Sequence, residues 1–280
     1  MQDATKPDII TKTGSTGTNS KVRWKGTMTK QEKEKTGTRE WAPNSRNRIR
    51  GCKNNCRYCY GKDREARYNP GETADWGEMR LLKIKQSTKK ADGGIMFPTT
   101  HDLHIEHVEW WGPFLKEMLE NGNDVLIVSK PEYAAIHWIC EQFQEYKDHI
   151  EFRFTIGTND DSVAAYWEPG APSPSDRLMC IARARTMGYR VSISMEPLLM
   201  ENPKSMIDGL LMGWITGEIW IGSMNHYALN PAIPEEARQI KIQSRENMQR
   251  VYESLKDNPQ IRWKDSVQRL LGITATGEKP

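Results

Sequence analysis

Three of the five cysteines fall in one short run, "GCKNNCRYCYG", residues 51–61, as Cys52, Cys56 and Cys59. Thiolates at intervals of four and three can ring a metal centre from a single loop. A structural zinc site closes its tetrahedron with four protein ligands, commonly two Cys-x-x-Cys pairs or cysteine with histidine. No partner pair accompanies this triplet, and Cys140 and Cys180 fall in predicted helices, as ordinary core residues do. A cubane held by three cysteines follows another logic, because its remaining iron has no protein ligand and stays open to a second molecule. Two chemistries stand side by side: a zinc-stapled module, or a three-thiolate cluster with one open corner.

The elements that must position this loop follow a βα rhythm from about residue 47 onward. "DVLIVSK" is a buried parallel strand, "EFRFTIG", "YRVSISME" and "EIWIGS" are others, and "GIMF" precedes them. Between them lie amphipathic stretches. "PEYAAIHWICEQFQEY" opens with Pro131 in a first helical turn and carries Ala135, Ile139 and Phe143 on one face. "SPSDRLMCIARARTMGYR" has Ser173 as N-cap, Pro174 at N1, Asp176 at N3 and Gly188 past the last turn. Pro113 is expected to open a helix after Trp110 and Trp111, which suit core packing better than base stacking. Residues 234–257 read as one charged helix, and "IRWKDSVQRLLG" as a short strand and a last helix. Parallel strands need helices over both faces or around a closed barrel, and reactive groups gather at the strand carboxyl ends. Thr99 to His104, Ser129 and Lys130, Thr158 to Asp160, Glu196, and Asn225 with His226 all follow predicted strands. His107 completes a run of three histidines there, with substrate contact or plain solvation as its alternatives.

The triplet resembles that of the radical S-adenosylmethionine superfamily, with Tyr58 at the aromatic position placed against the adenine. "RGCKNNCRYCYG", "VSK" and "FRFTIGTNDDSVAAYWEPGAPSPSDRLMCIARARTMGYRVSISMEPLL" together look like the spore photoproduct lyase branch, over residues 41 to about 200. The resemblance implies an α/β fold, a partial (β/α)6 TIM-like barrel (41–232), with an N-terminal extension (1–40) and a C-terminal helical cap (233–280). It implies a 4Fe-4S cluster on Cys52, Cys56 and Cys59, S-adenosyl-L-methionine at the open iron, and Asp102, Lys130 and Thr158 as cofactor contacts. Lys130 also makes physical sense as a fixed cation for a carboxylate. Thr99 stands where the lyases carry a hydrogen-donating cysteine, which argues against lyase activity. Tyr60 matches a tyrosine of the lyases' radical relay, and Glu196 suits the orientation of a ribose hydroxyl or substrate amine. The activity implied is radical chemistry on a nucleic-acid base, with isomerisation of a modified thymine in phage DNA as the leading reading. A photoproduct lyase-like repair enzyme and a non-catalytic zinc or iron–sulfur nucleic-acid binder are the alternatives. A flavodoxin- or ferredoxin-like reductant is the implied redox partner.

Charge and composition agree with this class. Residues 1–50 carry twelve Lys and Arg against five Asp and Glu, while the remainder is net acidic, 28 against 32. Residues 1–20 read as a solubilising tail, and Arg46, Arg48 and Arg50 as candidates for phosphate contact. Arg262 and Lys264 read as surface cations. No apolar run reaches membrane-spanning length and no secretory segment opens the chain, so a cytoplasmic protein, in the host if viral, is expected. Thiols stay reduced there, which favours metal over disulfides.

Overall fold

The computed structural model describes residues 37–69, 71, 75–211, 213–225 and 227–278. The basic stretch through residue 36 and His226 lie outside the described residues. All described elements belong to the unit Lys35–Pro280. In chain order the strands are β1 Asn44–Ser45, β2 Ile49–Arg50, β3 Arg80–Leu81, β4 Ile95–Met96, β5 Val125–Ser129, β6 Ile150–Thr155, β7 Arg190–Met195, β8 Ile219–Ile221 and β9 Ile261–Trp263. The α-helices are α1 Tyr60–Tyr68, α2 Val108–Glu120, α3 Tyr133–Gln142, α4 Asp161–Trp167, α5 Pro174–Thr186, α6 Lys204–Leu211, α7 Pro234–Ile242, α8 Arg245–Leu255 and α9 Asp265–Leu271.

Seven strands form one sheet in the order β1-β4-β5-β6-β7-β8-β9, and every pairing in it is parallel. Sequential order with parallel neighbours is the winding of a (β/α) barrel; a doubly wound sheet would reverse its order partway. Six strands, β1 to β8 without the β2–β3 ribbon, make the expected partial barrel. The strand read from "IRW" joins it as β9, and β1 and β9 do not pair with each other. The central strands are rich in Val, Ile and Phe because both faces are covered: Ile127, Phe152, Phe154, Val191 and Ile193 are all fully buried.

Local chemistry sets most boundaries. Ser173 Oγ accepts from the Asp176 amide at 3.1 Å and Pro174 opens α5, as expected. The expectation for 234–257 needs correction: the helix breaks in two, because Ser244 Oγ caps α8 by accepting from the Asn247 amide at 3.2 Å. Pro113 lies inside α2 rather than at its start. The helix begins earlier because buried Trp111 anchors it, its indole donating to the His104 carbonyl at 2.9 Å. Pro131 precedes α3, whose N-cap is Glu132. Among the described residues no helix is long and apolar enough to cross a membrane.

Candidate active site

The cysteine loop follows β2 and runs into α1. It turns at Gly51, whose φ of +86° excludes other residues and whose missing Cβ would lie 2.5 Å from the Glu78 carbonyl oxygen. The Cys52 amide donates to the Trp76 carbonyl at 2.9 Å, and the Cys59 amide closes a turn onto the Cys56 carbonyl at 3.2 Å. Cys59 is the N-cap of α1, its sulfur accepting from the Lys62 amide at 3.4 Å. All five cysteines are free thiols.

Cys52, Cys56 and Cys59 line one cavity of about 460 Å³. Its other walls come from the carboxyl ends of β4 (Thr99, Asp102), β5 (Lys130), β6 (Thr155), β7 (Ser194, Glu196) and beyond β8 (Asn225). Strand ends this far apart in the sheet share a cavity only if the sheet is curled. The volume lies within the range of about 300–1,000 Å³ usual for small-molecule sites.

The donor set decides what this cavity can hold. No group of three or more His, Cys, Asp or Glu is already arrayed for a metal among the described residues. Burial pushes the Cys56 thiol up to about 12, with Lys130 opposing, and raises Cys52 and Cys59 as well. The metal-free loop is therefore neutral, and binding a metal must expel its protons. A fourth protein ligand is missing for a stated reason: His101 also lines the cavity, but Nε2 accepts from the Arg48 amide at 3.4 Å and Nδ1 meets the Asp102 carbonyl at 3.0 Å. His104 is buried behind it, Nδ1 2.9 Å from Glu132. Three soft sulfurs without a fourth partner fit a cubane held at three corners better than tetrahedral zinc.

Asp102 and Lys130 meet beside the loop. Asp102 Oδ1 accepts from Ser129 Oγ (2.8 Å) and the Lys130 amide (2.7 Å), and Oδ2 from Asn54 Nδ2 (2.8 Å) and the Cys52 thiol (3.6 Å). Burial alone would raise this carboxyl, but Lys130 and these donors hold it below the usual carboxylate range. Four donors on one carboxylate make Asp102 a brace between loop and sheet. Lys130 Nζ lies 5.4 Å over the Tyr58 ring and 4.0 Å from Glu168. Burial would lower its ammonium, but the acidic groups around it, the carboxylates of Glu168 and Asp102 among them, outweigh burial and hold it above its usual value.

The remaining candidates divide. Tyr60 and Thr99 stand together at the cavity, the Tyr60 hydroxyl donating to the Thr99 carbonyl, while Thr99 Oγ1 accepts from Asn47 at 2.6 Å. Thr158 is buried outside the lining, its hydroxyl accepting from the Asp160 amide at 3.1 Å. Glu196 faces the cavity from the far wall, 3.5 Å from Lys264 and from Asn225. Lys264 is no surface cation: it is fully buried, 2.9 Å from Glu40, 2.7 Å from the Gly37 carbonyl and 4.2 Å from the Trp41 ring centre. Arg262 pairs with Glu218 at 2.9 Å. Arg46 and Arg48 bind the carbonyls of Ser87 and Leu82, and Arg50 pairs with Glu65 at 2.6 Å. His107 stacks on Trp110, ring centres 4.4 Å apart.

Glu168, Arg177 and Asn54 are the site residues that sequence reasoning passed over. Arg177 Nη2 lies 2.5 Å from Glu168 Oε2, both side chains almost wholly buried, and the Tyr58 hydroxyl donates to Glu168 Oε1. Gly170, two residues on, donates its amide to the Asn54 carbonyl at 3.0 Å, and a Cβ there would sit 2.1 Å from the Lys53 carbonyl oxygen. The Arg57 amide donates to the Trp167 carbonyl at 2.9 Å. The "WEPGAPSPSDRL" stretch is thus the wall against which the cysteine loop is cast. Its unusual Glu-Pro-Gly and Arg spacing was the available signal.

No family model matches the chain. Among curated proteins, an uncharacterized protein of Acidianus two-tailed virus is 26% identical over an alignment covering 54% of this chain and 54% of that protein. The chain therefore spans about half the length of the viral relative. Among solved structures, spore photoproduct lyase complexed with dinucleoside spore photoproduct is 16% identical, with a TM-score of 0.45, over 69% of this chain and 59% of that one. Streptococcus suis SuiB bound to S-adenosylmethionine is 9% identical, with a TM-score of 0.48, over 81% of this chain and 48% of that one. The resemblance carried by the cysteine motif extends, in this chain's own fold, to a sequential parallel partial barrel with the three-thiol loop at its mouth.

Proposed function

We propose that the chain is a radical S-adenosylmethionine enzyme acting on a nucleic-acid base, and that it isomerises a modified thymine in viral DNA. One observation carries the reading: Cys52, Cys56 and Cys59 line the same cavity as the buried cation Lys130, and His101, the histidine that lines it with them, has both ring nitrogens already engaged. A 4Fe-4S cluster held by Cys52, Cys56 and Cys59 would, together with S-adenosyl-L-methionine, supply one-electron reductive cleavage of the sulfonium and so the means to abstract a hydrogen atom. The chain's own residues bind and orient. Lys130 offers a fixed positive charge to a carboxylate, Tyr58 an aromatic wall beside it, and Glu196 an acceptor on the opposite side.

Isomerisation is favoured over a lyase reaction by the cavity's thiol inventory. Besides the loop triplet no cysteine lines it; Cys140 and Cys180 are buried elsewhere, and Thr99, at the position resembling the lyase donor, is a poor hydrogen-atom source. A rearrangement needs no external donor. The viral setting rests on the match to a viral protein, and the electron source would be a flavodoxin- or ferredoxin-like protein. The test is anaerobic incubation of reconstituted protein with dithionite, S-adenosyl-L-methionine and DNA bearing an amino-acid-modified thymine, followed by nucleoside mass spectrometry. An isomeric nucleoside of unchanged mass, with 5′-deoxyadenosine, is expected. Deoxyadenosine with no altered base removes the substrate assignment. Bound zinc with no deoxyadenosine removes the enzyme class and leaves a metal-stapled nucleic-acid binder.

A further inference from the structure

A second, larger groove of about 1060 Å³ lies against the cavity and shares Gly61 and Thr100 with it. Its floor is the β2–β3 ribbon, and its sides are α1 and the segment after β3. The two chain segments that meet here, residues 44–50 and 80–90, are joined by the ribbon register, by the Leu82 amide on the Arg48 carbonyl (2.9 Å) and by the Asn47 amide on Gln86 Oε1 (2.7 Å). Together they hold eight cations and no acid: Arg46, Arg48 and Arg50 in the first, and Arg80, Lys83, Lys85, Lys89 and Lys90 in the second; of these Arg50, Arg80 and Lys83 line the groove itself, with Arg64 of α1 and the acids Glu65 and Asp75.

The bonding of these cations leaves most of the charge in place. Carboxylates neutralise Arg50, Arg80 and Lys85, through Glu65, Glu78 and Glu117. Arg46, Arg48 and Lys90 are held by backbone carbonyls, which fix a side chain without cancelling its charge. Lys83 and, on the α1 side, Arg64 line the groove, are exposed and form an ion pair with no described residue; Lys89, also exposed, lies off the lining. Tyr68, 70% exposed, and Ile84, 83% exposed, add apolar surface along the same groove. Exposed, unpaired cations beside an exposed aromatic ring suit a polyanionic strand, phosphates on the cations and a base on the ring.

We infer that this groove is a track for a DNA strand, whose phosphates lie along Arg64, Arg80 and Lys83 while the target base enters the adjoining cavity past Gly61 and Thr100. The inference rests on the functional reading above and deepens it: the substrate is a polymer, not a free nucleotide.

The test is fluorescence anisotropy of a labelled thymine-rich oligodeoxynucleotide duplex against holoenzyme, at a series of salt concentrations, for wild type and the Arg64→Ala/Lys83→Ala pair. Removing one phosphate-binding cation lowers the log–log salt slope by about 0.9 on duplex DNA, so the pair should lower it by about two and weaken binding roughly uniformly across sequences. Lys204→Ala/Lys256→Ala, which removes two exposed cations from α6 and the end of α8, should leave the slope unchanged. Iron content and 5′-deoxyadenosine formation are measured in the same preparations. They should stay at wild-type level in the Arg64/Lys83 variant, which separates failure of the track from failure of the radical chemistry. An unchanged slope, tighter binding of an RNA oligonucleotide, or no binding of either polymer would overturn the proposal.

Discussion

Replacing Arg177 with Met isolates the wall behind the cysteine loop. In the wild type Arg177 neutralises Glu168 at 2.5 Å, with both side chains almost wholly buried, and donates to the carbonyls of Pro172 (2.8 Å) and Thr155 (3.2 Å). Methionine fills much of the same volume but leaves a buried carboxylate without its guanidinium. Breaking a buried pair from one side costs about 3–5 kcal/mol. For a domain of this size each kcal/mol moves the melting temperature by about 2–4 °C, so a fall of about 6–20 °C is expected. Adding Glu168→Gln removes the stranded charge, and the double variant should recover about 1–3 kcal/mol relative to additivity. The missing carbonyl partners are common to both Arg177 variants and cancel from that comparison. Urea denaturation of the metal-free protein, followed by circular dichroism, supplies all the free energies. Because the Tyr58 hydroxyl donates to Glu168, iron retention after reconstitution should fall in Arg177→Met alongside stability. An Arg177→Met protein within about 1 kcal/mol of wild type, or a double variant whose cost equals the sum of the singles, would refute the reasoning.

Gly170→Ala should cost about 1–3 kcal/mol and impair iron loading, since its Cβ would press to 2.1 Å of the Lys53 carbonyl oxygen and move the loop; unchanged melting and iron content would count against the wall. Alanine at Cys52, Cys56 or Cys59 should each abolish retention of iron and sulfide, whereas Cys140→Ala should keep both, as metal analysis after gel filtration will report. Burial raises the Glu40 carboxyl to about 7, partly opposed by Lys264. The folded chain thus holds a proton that the unfolded chain has released above about pH 4.5, and stability from this group declines as pH rises from there to about 7. Glu40→Gln should flatten that part of the stability–pH curve, and a slope identical to wild type would show that Glu40 does not titrate there.

Much of the fold is legible in the sequence because its determinants are local. The Val, Ile and Phe runs of β5, β6 and β7 and the Ser173–Pro174–Asp176 start of α5 each carry their own signal. The cysteine triplet is equally legible, since its three sulfurs sit on one loop. What escapes a sequence reading depends on partners distant in the chain. Lys264 looks like a surface cation until Glu40 and the Gly37 carbonyl, more than two hundred residues away, close over it. Glu168 and Arg177 are near each other in sequence, yet their burial depends on Tyr58 and Thr155 from other elements. Arg46 and Arg48 look free until the segment after β3 brings them carbonyls. The break at Ser244 is hidden because helical periodicity continues across it, and only the cap reveals the stop.

Electron paramagnetic resonance of the anaerobically reconstituted, dithionite-reduced protein, recorded before and after S-adenosyl-L-methionine is added, bears most directly on the vacant corner of the three-thiolate site. A reduced cluster signal that shifts when the sulfonium compound binds, and that is lost in the Cys56→Ala protein, is the predicted result. A protein that takes up zinc in preference to iron, or a cluster signal indifferent to S-adenosyl-L-methionine, would contradict the account.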